Sequence, residues 1–119
     1  MPRTEQNFER RLQRILELKG FTVLNVRMPR FGGHKFDLIA FRHGLAFPIE
    51  VKGKCTPYPE AQKKRQIALA TRCHTNYFVC RQSKRRGLMT LQGYSVRLKM
   101  FEDTPDMALL QEALEEWIE

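Results

Sequence analysis

Apolar residues fall at two distinct periods along the chain. Phe8, Leu12, Ile15 and Leu16, with Lys19, recur at three- and four-residue spacing, and Gly20 follows as a stop. This predicts a first helix over about residues 4–19. Residues 21–26 and 36–41 then read as strands, separated by a loop over residues 27–35 that Pro29 and Gly32-Gly33 interrupt. Leu45 to Lys52 is a further strand, and Arg42-His43-Gly44 before it is short enough for a tight hairpin. Pro57 and Pro59 break the chain again, and Pro59 suits the first position of a helix reaching about Arg72. Residues 76–80 form a strand, residues 81–87 a basic turn, and residues 88–91 and 94–99 two more short strands. Thr104 is placed to cap a last helix with Pro105 in its first turn. That helix carries Met107, Leu110, Leu114, Trp117 and Ile118 on one side, as a cover for the core. The order predicts an α/β fold in one domain over residues 1–119, a mixed central β-sheet flanked by α-helices.

A chain of 119 residues buries enough surface to fold without disulfides or structural zinc. Cys55, Cys73 and Cys80 are odd in number and irregular in spacing, which fits reduced packing or surface residues. No apolar run approaches the length of a membrane span, and the first residues lack the apolar core of a signal peptide. The expected location is the cytoplasm (of a host, if the chain is virus-encoded), with no membrane partner and no small-molecule cofactor.

Charge is divided unevenly. All 21 Lys and Arg lie in residues 1–99 with only six acids, a net of +15, whereas residues 100–119 hold seven acids and no Lys or Arg. So basic a body attracts polyanions, nucleic acid first among them. The acidic last helix should lie away from such a partner, or meet basic residues of another subunit.

Candidate chemistry sits on the central hairpin. Alternation puts Glu50 and Lys52 on one face, with Ile49 and Val51 on the other. With His43-Gly44 as the two turn residues, Arg42 faces Leu45 and, counting back, Asp37 faces Glu50. Opposed carboxylates repel, and a divalent cation removes the penalty. Hard oxygen ligands suit Mg²⁺, with Mn²⁺ as a substitute. Lys52 can place a water or neutralise a phosphate. Pro48 lacks an N–H and predicts a bulge in this strand, which would shift that register by one.

The pattern Asp37, then Glu50-Val51-Lys52 on the next strand, resembles the PD-(D/E)XK nuclease superfamily. Within it, the chain is similar to the archaeal-type, Hjc-like Holliday junction resolvases. Glu9 on the leading helix, the Gly20-Phe21 step into a strand, the Gly32-Gly33 loop and the hairpin carry the resemblance over about residues 5–80. Phe36 stands where that family often has proline or a small residue before the aspartate. The resemblance implies a restriction-endonuclease-like fold and a homodimer that cuts four-way DNA junctions with Mg²⁺. It implies Asp37, Glu50 and the Val51 carbonyl as metal ligands, with Glu9 as a further or water-mediated ligand. It also implies a supporting glutamine on the second helix, Gln66 or Gln62. Glu5, one turn before Glu9, is the alternative helix carboxylate.

The expected catalytic set is thus Glu9, Asp37, Glu50, Lys52 and Gln66. Arg27, Arg30, His34 and Lys35 around the Gly-rich loop are candidate phosphate contacts. So are Lys54, then Lys63, Lys64 and Arg65 on the second helix, and Lys84, Arg85 and Arg86 on the basic turn. Two other readings stay open: a nuclease of the same superfamily with a restriction, repair or nicking target, and a basic DNA-binding module without catalysis. An RNA-binding reading is weaker, because the aromatic signature of an RNA-recognition strand is absent.

Overall fold

The computed structural model describes residues 3–26 and 36–119. Among these, three helices and six strands follow one another as α1 (Arg3–Leu18), β1 (Thr22–Asn25), β2 (Leu38–Arg42), β3 (Leu45–Lys52), α2 (Glu60–Cys73), β4 (Tyr77–Gln82), β5 (Met89–Ser95), β6 (Met100–Phe101) and α3 (Met107–Leu114). The sheet runs in sequence order, β1 to β6. Every neighbouring pair is antiparallel except β3 and β4, which α2 joins as a parallel crossover. The result is the mixed α/β sheet that the periodicities predict.

The sheet is covered unequally. On one face, Phe8, Leu12 and Leu16 of α1 and Met107, Leu110 and Leu114 of α3 pack on Phe47, Ile49, Val51, Phe78 and Cys80. On the other, Ala70 of α2 packs with Phe36, Tyr77, Val79 and Tyr94. Alternation in β3 and β4 explains the split: odd positions of β3 meet α1 and α3, and Glu50 and Lys52 turn toward α2. The exposed acids Glu112, Glu115 and Glu116 therefore lie across the sheet from Glu50 and Lys52.

His43 and Gly44 both take positive φ, 52° and 75°, as a two-residue hairpin turn needs. The register is Arg42 with Leu45 through Leu38 with Ile49, and Ile39 faces Pro48 without a bulge in β3. The pair beside a two-residue turn exchanges hydrogen bonds. Alternation then makes Ile39–Pro48 a non-bonded pair, so the missing N–H costs the β2 ladder nothing. The parallel ladder with β4 starts only at Ile49. The irregularity falls instead on Asp37, whose N–H donates to Ile49 O at 3.0 Å, one residue short of the partner that continued register would give.

Three other expectations shift. The two strands expected at residues 88–91 and 94–99 are one strand, β5, followed by the short β6. Gly93 within it marks a close approach: a Cβ there would lie 2.9 Å from Glu102 O and 3.1 Å from Met107 Sδ. Pro59 caps α2 from outside its first turn. The last helix starts at Met107 and ends at Leu114, with Asp106 rather than Thr104 at its cap. The chain beyond turns so that Ile118 pairs with Met89. No helix of the described residues is long and apolar enough to cross a membrane. The three cysteines are free; burial of Cys80 pushes its thiol up to about 12, so it stays a packing residue.

Candidate active site

The site forms where β2 and β3 part. Their ladder ends at Leu38–Ile49, so the Val51 N–H has no β2 backbone partner in that ladder and donates to Asp37 Oδ2 at 2.8 Å. The N–H and C=O of one strand residue point to the same side. The Val51 carbonyl therefore also faces the gap beside Asp37. Phe36, just before it, is buried against Tyr77 with ring centroids 5.0 Å apart, which anchors the chain entering Asp37.

Glu50 and Lys52 are 4% and 5% exposed, too buried to be solvated surface charges. Lys52 Nζ lies 3.3 Å from Glu50 Oε2 and donates to Gln62 Oε1 at 2.8 Å. Gln62 Nε2 donates to Glu50 Oε2 at 3.1 Å, and Gln66 Nε2 donates to Glu50 Oε1 at 2.7 Å. Both candidate glutamines, one turn apart on α2, therefore contact the one carboxylate. Even so supported, Glu50 is pushed up to about 7, first by burial and then by the negative charge of Asp37.

Behind Gln66 lies a residue that the sequence reading does not single out. Tyr58 donates to Gln66 Oε1 at 2.5 Å, its hydroxyl is 2.8 Å from that of Tyr77, and its ring lies under Lys52 Nζ at 5.2 Å. Burial raises both phenols, Tyr77 to about 12, so both remain proton donors at neutral pH. Arg81 is the second omission. It pairs with Lys52 across the parallel ladder and donates from Nη1 to Gly53 O (3.1 Å) and Thr56 O (2.6 Å), clamping the loop after β3. The only cue in sequence is Tyr58 standing between two prolines just before a helix.

The carboxylates of α1 are both buried, Glu5 at 5% and Glu9 at 3% exposed. Glu5 reaches the end of β3: its Oε2 accepts from Thr56 Oγ1 at 3.0 Å. Among the described residues, no group of three or more His, Cys, Asp and Glu gathers to hold an ion, so neither α1 carboxylate completes such a cluster with Asp37 and Glu50. The donor set at the β2–β3 gap is two carboxylates and a backbone carbonyl, hard oxygens that suit Mg²⁺ or Mn²⁺. Glu50 is raised first by burial and then by the charge of Asp37, and a cation there would relieve the second. The amide contacts leave lone pairs for it, since a carboxylate offers about four acceptor sites.

Basic residues surround this end of the sheet. Because β3 and β4 are parallel, the exposed Lys84, Arg85 and Arg86 follow β4 at the same end where Lys52 closes β3. Between them, Lys54 and Gln82 line a cavity of about 530 Å³ with Glu5 and Thr56. On α2, Lys63 lies 5.2 Å from the Tyr58 ring and 3.5 Å from Glu60, while Lys64 and Arg65 are exposed. Arg27, Arg30, His34 and Lys35 lie outside the described residues.

No protein-family model matches the chain, and no curated protein matches it in sequence. Among solved structures, it is similar to that of Hjc from Archaeoglobus fulgidus, a Holliday junction resolvase from an archaeal hyperthermophile. The TM-score is 0.60 at 18% identity, over 93% of this chain and 98% of that one. The chain therefore has the restriction-endonuclease-like fold of an archaeal Hjc, with Glu50 and Lys52 on its central strand and Asp37 beside them.

Proposed function

We propose that this chain is a Mg²⁺-dependent DNA endonuclease selective for branched DNA, a Holliday junction resolvase that acts as a homodimer. The observation that carries the reading is the buried Glu50–Lys52 pair, gripped by Gln62 and Gln66 with the charge of Asp37 beside it. Burying a glutamate and a lysine beside a second negative charge costs stability, which a purely binding surface has no need to bear. The fold shared with an archaeal Hjc and the basic end of the sheet support the same reading.

Asp37, Glu50 and the Val51 carbonyl would hold the cation. When bound, it supplies Lewis acidity toward a phosphodiester and toward water. Asp37, pinned by the Val51 N–H, and Glu50, held by two amides, present their oxygens without reorganising. Lys52 keeps its ammonium between Gln62, Glu50 and the Tyr58 ring, where it can meet the negative charge that grows on a phosphate under attack. Glu9 and Glu5 of α1 gather with neither Asp37 nor Glu50 into an ion-holding group among the described residues, so the proposed ligand set is carried by the β2–β3 gap alone. Lys54, Lys63, Lys64, Lys84, Arg85 and Arg86, with Arg27, Arg30, His34 and Lys35, contact backbone phosphates, which suits selection by DNA shape.

The test is cleavage of a labelled four-way junction beside its linear arms, with Mg²⁺ and with EDTA. Paired, metal-dependent cuts confined to the junction are the expected result. Uniform cutting of all substrates would leave a nuclease and remove the resolvase. Binding without cleavage in Mg²⁺, or in Mn²⁺ in its place, would leave a DNA-binding module.

A further inference from the structure

We propose that Tyr58 is a positioning residue of this site: its phenol, itself held by Tyr77, fixes the Gln66 amide so that it presents an N–H donor to Glu50. The inference rests on reading Glu50 as a site carboxylate.

The direction of the chain of hydrogen bonds follows from counting protons. Gln66 Oε1 can only accept, so the single Tyr58 hydroxyl proton goes to it. The contact between the two hydroxyls then has Tyr77 as donor and Tyr58 as acceptor. Gln66 passes the polarity on, donating from Nε2 to Glu50 Oε1. Donors thus run one way, from Tyr77 through Tyr58 and Gln66 to Glu50, and each bond polarises the next.

Gln66 is fully buried at 0% exposure, so water has no access to replace a lost partner. Removing the Tyr58 hydroxyl takes from this carbonyl the donor that sets its orientation, and losing a buried hydrogen bond is costly. The amide can escape by rotating, and rotation withdraws the donor from Glu50. Lys52 does the corresponding work for the other amide, donating to Gln62 Oε1 and so turning Gln62 Nε2 to Glu50 Oε2. Both oxygens of Glu50 are thus aimed by amides whose far ends are held. Partners at this remove from a metal typically set affinity by about 10–100-fold.

Tyr58→Phe is a clean probe, because it keeps the ring beneath Lys52 and Lys63 and deletes only the hydroxyl. The experiment is a double-mutant cycle with Gln66→Met, read as Mn²⁺ affinity of the DNA-free protein from the spin-resonance signal of the free ion. Alone, Tyr58→Phe should weaken Mn²⁺ binding by about tenfold. In the Gln66→Met background it should change affinity by less than about twofold, because the link is already cut. Equal losses in both backgrounds would make Tyr58 a packing residue and overturn the proposal. The side-chain amide resonances of Gln66, recorded without metal, decide the same point independently: they should move in Tyr58→Phe, and unchanged resonances also overturn it. Tyr77→Phe serves where Tyr58→Phe fails to fold, with a shift in the same resonances expected. Because neither readout uses DNA, a wild type that binds Mn²⁺ but cuts no junction removes the nuclease reading and leaves this one to be judged by the cycle.

Discussion

The Val51 backbone N–H donates to Asp37 Oδ2 at 2.8 Å, so a side chain from the end of β2 takes the place of a ladder bond in β3. That bond ties the Asp37 carboxylate to the strand that carries Glu50. It also leaves the two negative groups to repel one another, with the charge of Asp37 second only to burial in raising Glu50.

Asp37→Asn separates these roles. Asparagine still offers an oxygen to the Val51 N–H but loses the charge. Junction cleavage should fall by at least about a hundredfold, the scale of losing one transition-state electrostatic contact. Junction affinity, measured in Ca²⁺ or EDTA, should stay within about threefold. Parallel loss of binding and cleavage would show that Asp37 serves to hold the fold or the DNA rather than the reaction.

The pH dependence of stability has a definite sign. Glu50 is held near 7 in the folded state against an ordinary value of 4.5. Its protonated form therefore favours the fold below about pH 4.5, and that contribution disappears as pH rises through 7. The full swing is about 3 kcal/mol. In EDTA, Tm should drop by roughly 10 °C between pH 5 and pH 8 from this group alone. Glu50→Gln should remove that part of the drop, and the difference between the two curves isolates this one group. Mg²⁺ at pH 8 should restore Tm in the wild type and not in Glu50→Gln. A wild type and variant with parallel curves would show that Glu50 does not carry the shift.

Lys52 and Glu50 form a buried pair, so breaking it differs from replacing it. Lys52→Met leaves Glu50 with Asp37 and without its cation, and at pH 8 should cost about 3 kcal/mol in denaturant unfolding. Adding Glu50→Gln to Lys52→Met should recover most of that loss while cleavage stays absent. Additive destabilisation in the double variant would rule out the coupling.

Much of this arrangement is legible in sequence because it is local. His43-Gly44 sets the hairpin, the hairpin sets the register, and alternation sends Glu50 and Lys52 to one face. The bulge is misplaced in that reading because the effect of a proline depends on which side its missing N–H faces. Pro48 sits in a non-bonded pair before the β4 ladder begins, and the departure from register comes at Asp37. What sequence does not reveal is non-local. Arg81 meets Gly53 and Thr56 only because the α2 crossover lays β4 parallel to β3. Tyr58 meets Tyr77 across 19 positions, and nothing in the spacing of either announces the other.

The basic turn after β4 gives a prediction that separates phosphate contact from solvated charge. Lys84, Arg85 and Arg86 are exposed, and the Arg85 N–H donates to Ser83 Oγ, which in turn donates to Glu119 Oε2. The turn is therefore anchored through Ser83, and alanine at the three basic positions should leave the fold intact. Each phosphate contact contributes about 0.9 to the slope of log affinity against log salt. If all three residues touch DNA, the triple variant should lower that slope by about 2.7. Binding should weaken by a similar factor for junctions and for linear duplex, because phosphate contacts carry no base information. Restoring wild-type affinity at low salt would not be expected, since the lost counterion release is largest there. An unchanged slope would assign the three charges to solvent and move the DNA path toward Lys54, Lys63 and Lys64 on the α2 side of the same sheet end.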